Sequence, residues 1–343
     1  MTSRIPDSEL PFITVAMPVR NEERFIGKVI GELLAQDYPK DRYEIIVADG
    51  QSTDATRDIV HKAANSSAVP IKLIDNPRRL SSAGRNIGIQ NGRHDGDIVA
   101  FIDGHCIIGD SNWLRNIAQV FQETGAACLC RPQPLDDPAN TEFQKMIAAC
   151  RGSALGHGLD SSIFDITNER EINPTSSGAI YRRSVFDKVG IYDEHFDACE
   201  DVELNHRVWK SGLKSYISSR LTVRYAPREN LKGLFKQMSR YGWGRFRFIS
   251  KHPDAISIGQ LIPPGFVSWL LVGAVLSPFL LLVRYALAFS VGLYALAVVV
   301  SALALALRNG ASYFFGALAI YPTIHFGLGL GFWKAVFTPR KQS

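Results

Sequence analysis

The chain has 343 residues, of which 46% are hydrophobic, and a formal net charge of +5, so it is long enough for more than one domain. No Asp or Glu follows Gln260, and the net charge equals that of the five basic residues in this tail, Arg284, Arg308, Lys334, Arg340 and Lys341. The balanced charge of residues 1–260 gives no sign of a nucleic-acid partner. Five cysteines without a Cys-x-x-Cys pair exclude a disulfide framework, and the polar residues 1–10 lack the apolar core of a signal peptide. We therefore predict a reduced, cytosolic soluble part followed by a very apolar tail.

Short apolar runs alternate with helical patterns in the first part of the chain. The runs are residues 12–17, 43–48 and 71–74. Pro18 ends the first run, and a helical pattern then continues to about Gln36. Thr53 is placed to cap the helix after the second run, and residues 81–88 open another helix after the third. This alternation predicts an α/β fold with a parallel, doubly wound sheet.

A further apolar run, residues 98–102, is bounded by Asp97 and by Asp103-Gly104, as is typical of a strand buried on both faces. Asp103 and His105 follow its carboxyl end, where open α/β sheets bind ligands. Both side chains could reach one divalent ion. Oxygen and imidazole ligands suit manganese or magnesium with a bound phosphate, or zinc. The alternative is an ordinary Asp-Gly turn with His105 at the surface.

Polar residues end other predicted strands on the same edge of the sheet. Arg20 and Asn21 follow the first strand, Asp49 follows the second, and Asp103 follows the strand just described. Acids, Asn and Gly are also common in ordinary loops. Because three such loops share one edge, we predict a nucleotide site there.

The next part of the chain contains a second acidic motif. We predict a strand at 126–130, a helix at 141–151 and a mobile loop over a site at 152–173. Small residues at 175–181 precede a strand and leave room for a ligand. Glu200 and Asp201 then open a helix that runs to about Ser211. Acids favour the first turn of a helix, but one of them could also serve as a general base.

The carboxyl-terminal part indicates a membrane region. Basic and aromatic residues interleave over Leu231–Lys251, which suits a helix at the lipid interface; a solvated helix of the soluble domain is the alternative. The apolar stretches 266–283, 285–307 and 311–333 are each long enough to span a bilayer. Three spans from a cytosolic start would place Lys334 outside, against the positive-inside tendency, so one stretch could instead be re-entrant or interfacial. We predict domains at 1–228, 229–260 and 261–343, the last with up to three spans.

In their order, these motifs resemble the family 2 glycosyltransferases, which have a GT-A fold followed by membrane helices. The resemblance covers roughly residues 12–251 and is greatest with the enzymes of succinoglycan and related bacterial exopolysaccharide biosynthesis. It implies a Rossmann-like, mostly parallel sheet with flanking helices, and C-terminal transmembrane helices.

The resemblance also implies roles for residues at the donor site. The first loop would hold the nucleotide through Pro18, Val19, Arg20, Asn21 and Glu22. Asp49 would contact uracil, and the segment Ala83-Gly84-Arg85-Asn86 would lie near the base and ribose. We assign Arg78 to the same site. The Asp-x-Asp metal motif of the family falls on Asp103-Gly104-His105, where His105 replaces an acid.

Other motifs of the family point to the acceptor side. Its Glu-Asp pair falls on Glu200-Asp201, with Asp201 as the base and with Glu200 and Gly178 beside the acceptor. The Gln-x-x-Arg-Trp motif of its membrane-bound members falls on residues 237–241, and we assign Gln237, Arg240 and Arg245 to substrate binding. Tyr241 replaces the Trp of this motif, which favours addition of a single sugar over processive polymerisation.

The implied activity is that of a metal-dependent, inverting hexosyltransferase. It would use Mn²⁺ or Mg²⁺ to move a hexose, glucose by family weight, from a UDP-sugar to a polyprenyl-pyrophosphate-linked saccharide. The enzyme would be a multi-pass protein among the lipids of the bacterial inner (cytoplasmic) membrane, with a cytosolic catalytic domain and no nucleic-acid partner. One alternative is a polyprenyl-phosphate hexose synthase. Another is a membrane-anchored nucleotide-binding or transport protein without transfer activity, although the tail lacks acids that could carry ions.

Overall fold

The computed structural model describes residues 4–157, 162–196 and 198–338. It divides into two compact units. The sheet unit comprises Met1–Asp137 and Ser162–Tyr225, and the helical unit comprises Pro138–Ser161 and Ala226–Ser343. The segment 138–161 therefore packs with the helical unit, although it is flanked on both sides by the sheet unit. The domain limits at 228 and 260 stay a prediction.

The strands of the sheet unit follow the predicted apolar runs closely. They are β1 Ile13–Val19, β2 Tyr43–Asp49, β3 Ile71–Asp75, β4 Ile98–Phe101, β5 Cys106–Ile107, β6 Cys128–Cys130, β7 Glu169–Glu171, β8 Gly178–Arg182, β9 Ser215–Ser218 and β10 Arg224–Tyr225. Eight of them form one sheet in the order β3-β2-β1-β4-β8-β6-β9-β7, and β5 pairs with β10 in a separate ribbon.

The helices of the sheet unit are α1 Ile26–Leu34, α2 Thr56–Ser66, α3 Ser81–Asn91, α4 Trp113–Thr124, α7 Ser184–Val189 and α8 Glu200–Lys210. Those of the helical unit are α5 Glu142–Arg151, α6 Ala154–His157, α9 Leu231–Lys251, α10 Ile258–Leu276, α11 Leu281–Asn309 and α12 Ser312–Phe337. The predicted helices at 141–151, 200–211 and Leu231–Lys251 are confirmed. The region 152–173, predicted as a loop, contains α6 and β7.

The direction of the strands determines which loops meet. β1 pairs in parallel with β2 and β4, and β2 with β3. β8 runs antiparallel to both β4 and β6, so β6 runs in the same direction as β4. The mostly parallel mixed sheet with flanking helices is confirmed, but two strands run against the others: β8 is antiparallel to its neighbours β4 and β6, and β7 is antiparallel to β9. The carboxyl ends of β1, β2, β3, β4 and β6 therefore share one edge, which we call the carboxyl edge.

Two glycines place helix α3 directly on strand β1. A Cβ atom at Gly88 would collide with the Cβ of Ala16, and one at Gly84 would lie 2.9 Å from the Cβ of Pro18. This close approach fixes the neighbouring residue Arg85 near the carboxyl edge. The rest of the core follows hydrophobic periodicity: every residue of β2 is buried, and α1 buries Ile26, Val29, Ile30 and Leu33 on one face.

Two local predictions for this unit are wrong. The first strand does not end at Pro18 but continues to Val19. Strand β4 pairs with β1 only up to Ala16, so the missing N–H of Pro18 has only β2 as a neighbour. Thr53 does not cap α2, which begins at Thr56. The carboxylate of Asp54 instead accepts hydrogen bonds from the backbone N and Oγ1 of Thr56, at 3.0 and 2.6 Å.

The helical unit contains three helices, α10, α11 and α12, that are long and apolar enough to cross a membrane. The stretch predicted at 266–283 is not one helix. Helix α10 begins earlier, at a capping box formed by Ser257 and Gln260, and ends before Pro278, which has no N–H with which to continue it. The side chain of Arg284 then donates to the carbonyl oxygen of Ser277 in the turn between α10 and α11.

Helix α12 packs closely on helix α9. A Cβ atom at Gly331 would collide with the carbonyl oxygen of Ser239, and one at Gly242 with that of Leu328. The buried face of α9, which includes Leu234 and Met238, packs in the hydrophobic core of the helical unit. Location of α9 at a lipid interface stays a prediction.

Candidate donor and catalytic site

The carboxyl edge brings together side chains from loops that are far apart in the sequence. Asn21 and Glu22 follow β1, Asp49 ends β2, Asp103 follows β4 and Arg131 follows β6. Acidic and basic groups are mixed here, as is needed to bind both a cation and a phosphate. The edge predicted from the sequence therefore exists, and it contains one cation, Arg131, that the sequence motifs did not indicate.

The first two loops of this edge are tied to each other. The backbone N of Asn21 donates to Ser52 Oγ at 2.9 Å, and the backbone N of Thr53 donates to Asn21 Oδ1 at 2.9 Å. Asn21 has a φ of 55°, a left-handed conformation that Asn tolerates better than most residues. The loop that was predicted to hold a nucleotide is therefore held in one conformation.

Asp49 is fully buried and already has strong partners. Its Oδ2 accepts from Arg57 Nη1 at 2.7 Å and from the backbone N of Ser52 at 3.1 Å. Arg57 also donates to Asp75 at 2.6 Å. Sequence motifs did not indicate Arg57, which lies in the first turn of α2. Contact between Asp49 and a base stays a prediction.

Asp103 and His105 lie on one turn after β4, as predicted, and each is held by another residue. Tyr225 Oη donates to Asp103 Oδ2 at 2.8 Å. The imidazole Nδ1 of His105 is 2.8 Å from Glu22 Oε1. Burial by itself raises the pKa of Asp103, but the charges of Arg85, His105 and Arg131 outweigh it and lower that pKa. Asp103 is thus kept ionised.

These two side chains fit a divalent metal. A carboxylate and an imidazole are accepted by Mn²⁺, and ligating histidines generally donate their other ring N–H to a carboxylate. Glu22 is positioned to accept that N–H from Nδ1 of His105, so Nε2 is the ring nitrogen that would bind a metal. The chemistry of the donor set therefore supports Asp103 and His105, which we call the metal pair, as ligands of one divalent ion. The identity of the ion stays a prediction.

Arg85 connects the metal pair to the acidic motif of α8. Its Nη2 lies 3.4 Å from Asp103 Oδ1, and its Nε lies 3.6 Å from Glu200 Oε1. The guanidinium also lies over the ring of Tyr192, at 5.6 Å from the centroid. The structure thus brings together two motifs that the sequence separates by nearly a hundred positions.

The two acids of this motif have different environments. Glu200 is buried; burial, together with the charge of Asp201, raises its pKa in spite of Arg85. Asp201 is half-buried, and its Oδ1 accepts from the backbone N of Val202 at 2.8 Å. Because Asp201 is the more accessible carboxylate, it is the better placed of the two to take a proton from a substrate.

Two other predicted site residues are occupied by protein contacts. Small residues at 175–181 were predicted to leave room for a ligand, but Gly178 itself offers none, because a Cβ atom there would collide with the side chain of Asn205. The carbonyl oxygen of Gly178 accepts from Asn205 Nδ2 at 3.0 Å. Arg78 donates to Glu194 Oε2 at 2.7 Å, and Asn86 donates to the other oxygen of Glu194. Roles for Gly178 and Arg78 in substrate binding stay predictions.

The remaining predicted residues belong to the helical unit. Gln237, Arg240 and Arg245 all lie on α9. Gln237 Nε2 donates to Tyr241 Oη at 3.3 Å, Arg240 is exposed and Arg245 is half-buried. Their spacing on one helix is as predicted, and their role in binding an acceptor is not tested by these contacts.

Besides Arg57, sequence reasoning missed two residues close to Asp103. Arg131 immediately follows the strand predicted at 126–130, so the rule that selected Asp49 and Asp103 could have found it. Tyr225 lies in a two-residue strand and has no local signal. It contacts Asp103 only because β10 pairs with β5 beside the metal pair.

Comparison with known proteins assigns this site to a family. The model of the family described as Glycosyl transferase family 2 matches residues 14–190, just over half of the chain. The chain belongs to this family. The predicted resemblance is confirmed. The matched residues include the loops of the carboxyl edge that follow β1, β2 and β4. As a family 2 glycosyltransferase, the protein takes part in the synthesis of a polysaccharide or another glycan.

Curated relatives extend the similarity over most of the chain. Succinoglycan biosynthesis protein ExoA of Rhizobium meliloti (strain 1021) is 27% identical over 328 residues, covering 96% of both chains. Glycosyltransferase AglE of Haloferax volcanii is 26% identical over 271 residues, covering 79% of this chain and 84% of its own. The first of these similarities includes α10, α11 and α12, so it extends to the helical unit.

A solved structure confirms the fold. Mannosyltransferase PcManGT from Pyrobaculum calidifontis, in complex with GDP-Man and Mn²⁺, has a TM-score of 0.59 and 18% sequence identity. The match covers 96% of this chain and 88% of that one. The fold of this chain is therefore shared with this mannosyltransferase.

Proposed function

We propose that this family 2 glycosyltransferase is a metal-dependent, inverting hexosyltransferase. It moves a hexose, glucose in the first instance, from a UDP-sugar to a polyprenyl-pyrophosphate-linked saccharide in exopolysaccharide biosynthesis. The reaction takes place at the cytosolic face of a bacterial inner membrane that α10, α11 and α12 enter. The observation that carries the proposal is Arg85, which links the metal pair at Asp103 to the acids of α8.

The names of two relatives support the proposed pathway and acceptor class. The R. meliloti relative is named for succinoglycan biosynthesis. A Methanococcus voltae relative, 27% identical over 269 residues, is named a dolichyl N-acetyl-glucosaminyl phosphate glucuronosyltransferase and so acts on a lipid-linked sugar. The first name fits a role in exopolysaccharide biosynthesis, and the second fits a saccharide carried on a polyprenyl lipid.

The metal pair and its neighbours would act on the leaving group. Asp103 and Nε2 of His105 would hold the ion, and Glu22 and Tyr225 would keep these two ligands oriented. When bound, a divalent ion neutralises the charge that develops on a departing diphosphate. Asp103 is suited to this role because its lowered pKa keeps it ionised.

The acids of α8 would act on the acceptor. Asp201 would accept the proton of the acceptor hydroxyl as its oxygen attacks the anomeric carbon of the sugar. Because the pKa of Glu200 is raised, Glu200 would carry less negative charge beside Asp201. A single displacement assisted by one base inverts the anomeric centre, by the same logic as inverting glycoside hydrolysis.

The experiment measures release of UDP from UDP-glucose by the purified full-length chain in detergent, with Mn²⁺ and a lipid-linked saccharide. Asp201→Asn should lower transfer by about 100-fold or more, the usual scale for loss of a general base, and should leave donor binding nearly unchanged. Asp187→Asn is the matched control, because Asp187 is an exposed acid on α7 of the same unit.

Transfer by Asp201→Asn near the wild-type rate would contradict the proposed base. A polyprenyl monophosphate acceptor separates the alternative synthase activity, because an ionised phosphate needs no base. If Asp201→Asn retains transfer only to that acceptor, the protein is a polyprenyl-phosphate hexose synthase. If wild type releases no UDP from any UDP-sugar, the proposed transfer from a UDP-sugar is wrong.

A further inference from the structure

Arg131 is a buried cation at the carboxyl edge. It directly follows β6, the residue as a whole is only 3% exposed, and its backbone N donates to the carbonyl oxygen of Ser177 at 3.1 Å. The side chain makes one hydrogen bond, from Nη2 to Tyr225 Oη at 3.1 Å. Within the part of the chain that the structure describes, its Nε and Nη1 have no hydrogen-bond partner.

The acidic neighbour of Arg131 does not satisfy these donors. Asp103 Oδ2 accepts from Tyr225, and Asp103 Oδ1 faces Arg85 at 3.4 Å. Arg131 is nevertheless close enough to act on the charge of Asp103. A guanidinium is always charged, and a buried charged donor without an acceptor is unfavourable. The N–H groups of Nε and Nη1 therefore call for an anionic acceptor that the described part of the chain does not supply.

We propose that Arg131 is a further substrate-binding residue, whose Nε and Nη1 donate to oxygens of a diphosphate held beside Asp103. Hydrogen bonds between a guanidinium and phosphate oxygens are charge-assisted and short. The hydroxyl group of Tyr225 links the two sides of this site, because it accepts from Arg131 Nη2 and donates to Asp103 Oδ2. This inference rests on the proposed function, because that function is what supplies a diphosphate.

Two substrates of the proposed reaction carry a diphosphate. One is the UDP-sugar donor, and the other is the polyprenyl-pyrophosphate acceptor. The test uses the purified full-length chain in detergent with Mg²⁺ and measures the dissociation constants of UDP, uridine and farnesyl pyrophosphate by calorimetry. Uridine reports on base and ribose contacts alone, and farnesyl pyrophosphate reports on the acceptor diphosphate.

Arg131→Gln should weaken binding of one diphosphate by about 10- to 100-fold, the scale expected for hydrogen bonds to a charged group, and leave uridine binding unchanged. Loss of UDP binding identifies the donor as the ligand, and loss of farnesyl pyrophosphate binding identifies the acceptor. Arg115→Gln is the matched control. Arg115, which lies on α4, is also buried and has an unpaired Nη1. Unlike Arg131, it forms ion pairs with Asp7 and Asp37.

If Arg131→Gln fails to fold, Arg131→Lys is used instead, because it retains the charge with fewer donors. It should weaken binding of the same diphosphate several-fold more than Arg115→Lys does. If these Arg131 variants bind UDP and farnesyl pyrophosphate as tightly as wild type and lose only thermal stability, the proposal is overturned and Arg131 is structural. That result leaves the proposed function intact. Wild type that binds neither diphosphate would overturn both.

Discussion

The sheet unit and the helical unit both use glycine to bring elements together, but with different results. In the sheet unit, Gly84 and Gly88 let α3 lie on β1, and this places Arg85 beside Asp103 and Glu200. The polar groups remain near an open edge. In the helical unit, Gly242 and Gly331 let α9 and α12 pack backbone against backbone. Substitutions should therefore affect chemistry in the first unit and stability in the second.

Two helices of the helical unit, both apolar enough to cross a membrane, differ in how much of their surface is buried. The most apolar segment of α11 is only 17% buried, whereas that of α12 is 39% buried. Helix α12 also makes polar contacts: His325 Nε2 donates to the carbonyl oxygen of Leu155 at 2.9 Å, and Tyr321 Oη lies 2.9 Å from Ser153 Oγ. Small and polar residues are what helices use to associate in lipid. Helix α11 thus leaves most of its apolar surface exposed, whereas α12 packs more extensively against other parts of the helical unit.

The largest expected effect is in the sheet unit. Asp103→Ala should remove metal-dependent transfer by about 100-fold or more, above the range for residues that only support a ligand. Chelator should abolish wild-type activity, and Mn²⁺ or Mg²⁺ should restore it. Asp95→Ala is the control, since Asp95 pairs with Arg93 at the surface. Metal-dependent turnover at the wild-type level in Asp103→Ala would show that Asp103 is not a ligand.

A smaller effect is expected for Glu22, which acts through His105. Glu22→Ala should lower the affinity for Mn²⁺, measured by electron paramagnetic resonance in the presence of UDP, by about 10- to 100-fold. Glu23→Ala is the matched control, because the carboxylate of Glu23 accepts from the backbone N of Ala55 instead. Glu22 has no part in orienting His105 if the two variants bind Mn²⁺ equally well.

The comparison predicts the reverse pattern in the helical unit. Gly331→Ala should lower the free energy of unfolding by about 1–3 kcal/mol, the usual cost of overpacking, and leave UDP binding unchanged. Gly292→Ala on α11 is the control, because a Cβ atom there meets nothing within 4 Å, and Ala is preferred over Gly in a helix. Thermal unfolding in detergent measures both. Equal stability of the two variants would remove the distinction between α11 and α12.

The smallest effect is expected on α9. Arg240→Ala and Arg245→Ala in detergent should weaken use of a lipid-linked acceptor severalfold, because an arginine binds phosphate oxygens, and should leave slow hydrolysis of the sugar nucleotide intact. Lys232→Ala is the control, because Lys232 is an exposed residue in the first turn of α9. If both Arg variants use the acceptor as wild type does, they serve only as a membrane anchor, at about 1 kcal/mol each.

Much of the site could be predicted because its parts are local. Asp103 and His105 share one turn, Glu200 and Asp201 open one helix, and apolar runs before them predict the strands that position them. Arg131 was accessible to the same rule. The packing of segment 138–161 with the helical unit was not predictable, because its pattern is that of an ordinary amphipathic helix.

By itself, the sequence determined the alternation of strands and helices, the polar carboxyl edge and three apolar stretches that are each long enough to span a bilayer. These properties depend on periodicity and hydropathy, which act over short distances along the chain. Only the tertiary structure decided which side chains meet. Glu22 and His105 are 83 positions apart, and Tyr225 and Asp103 are 122 apart. Such pairs depend on strand order and on close packing at glycines, and no local pattern records them.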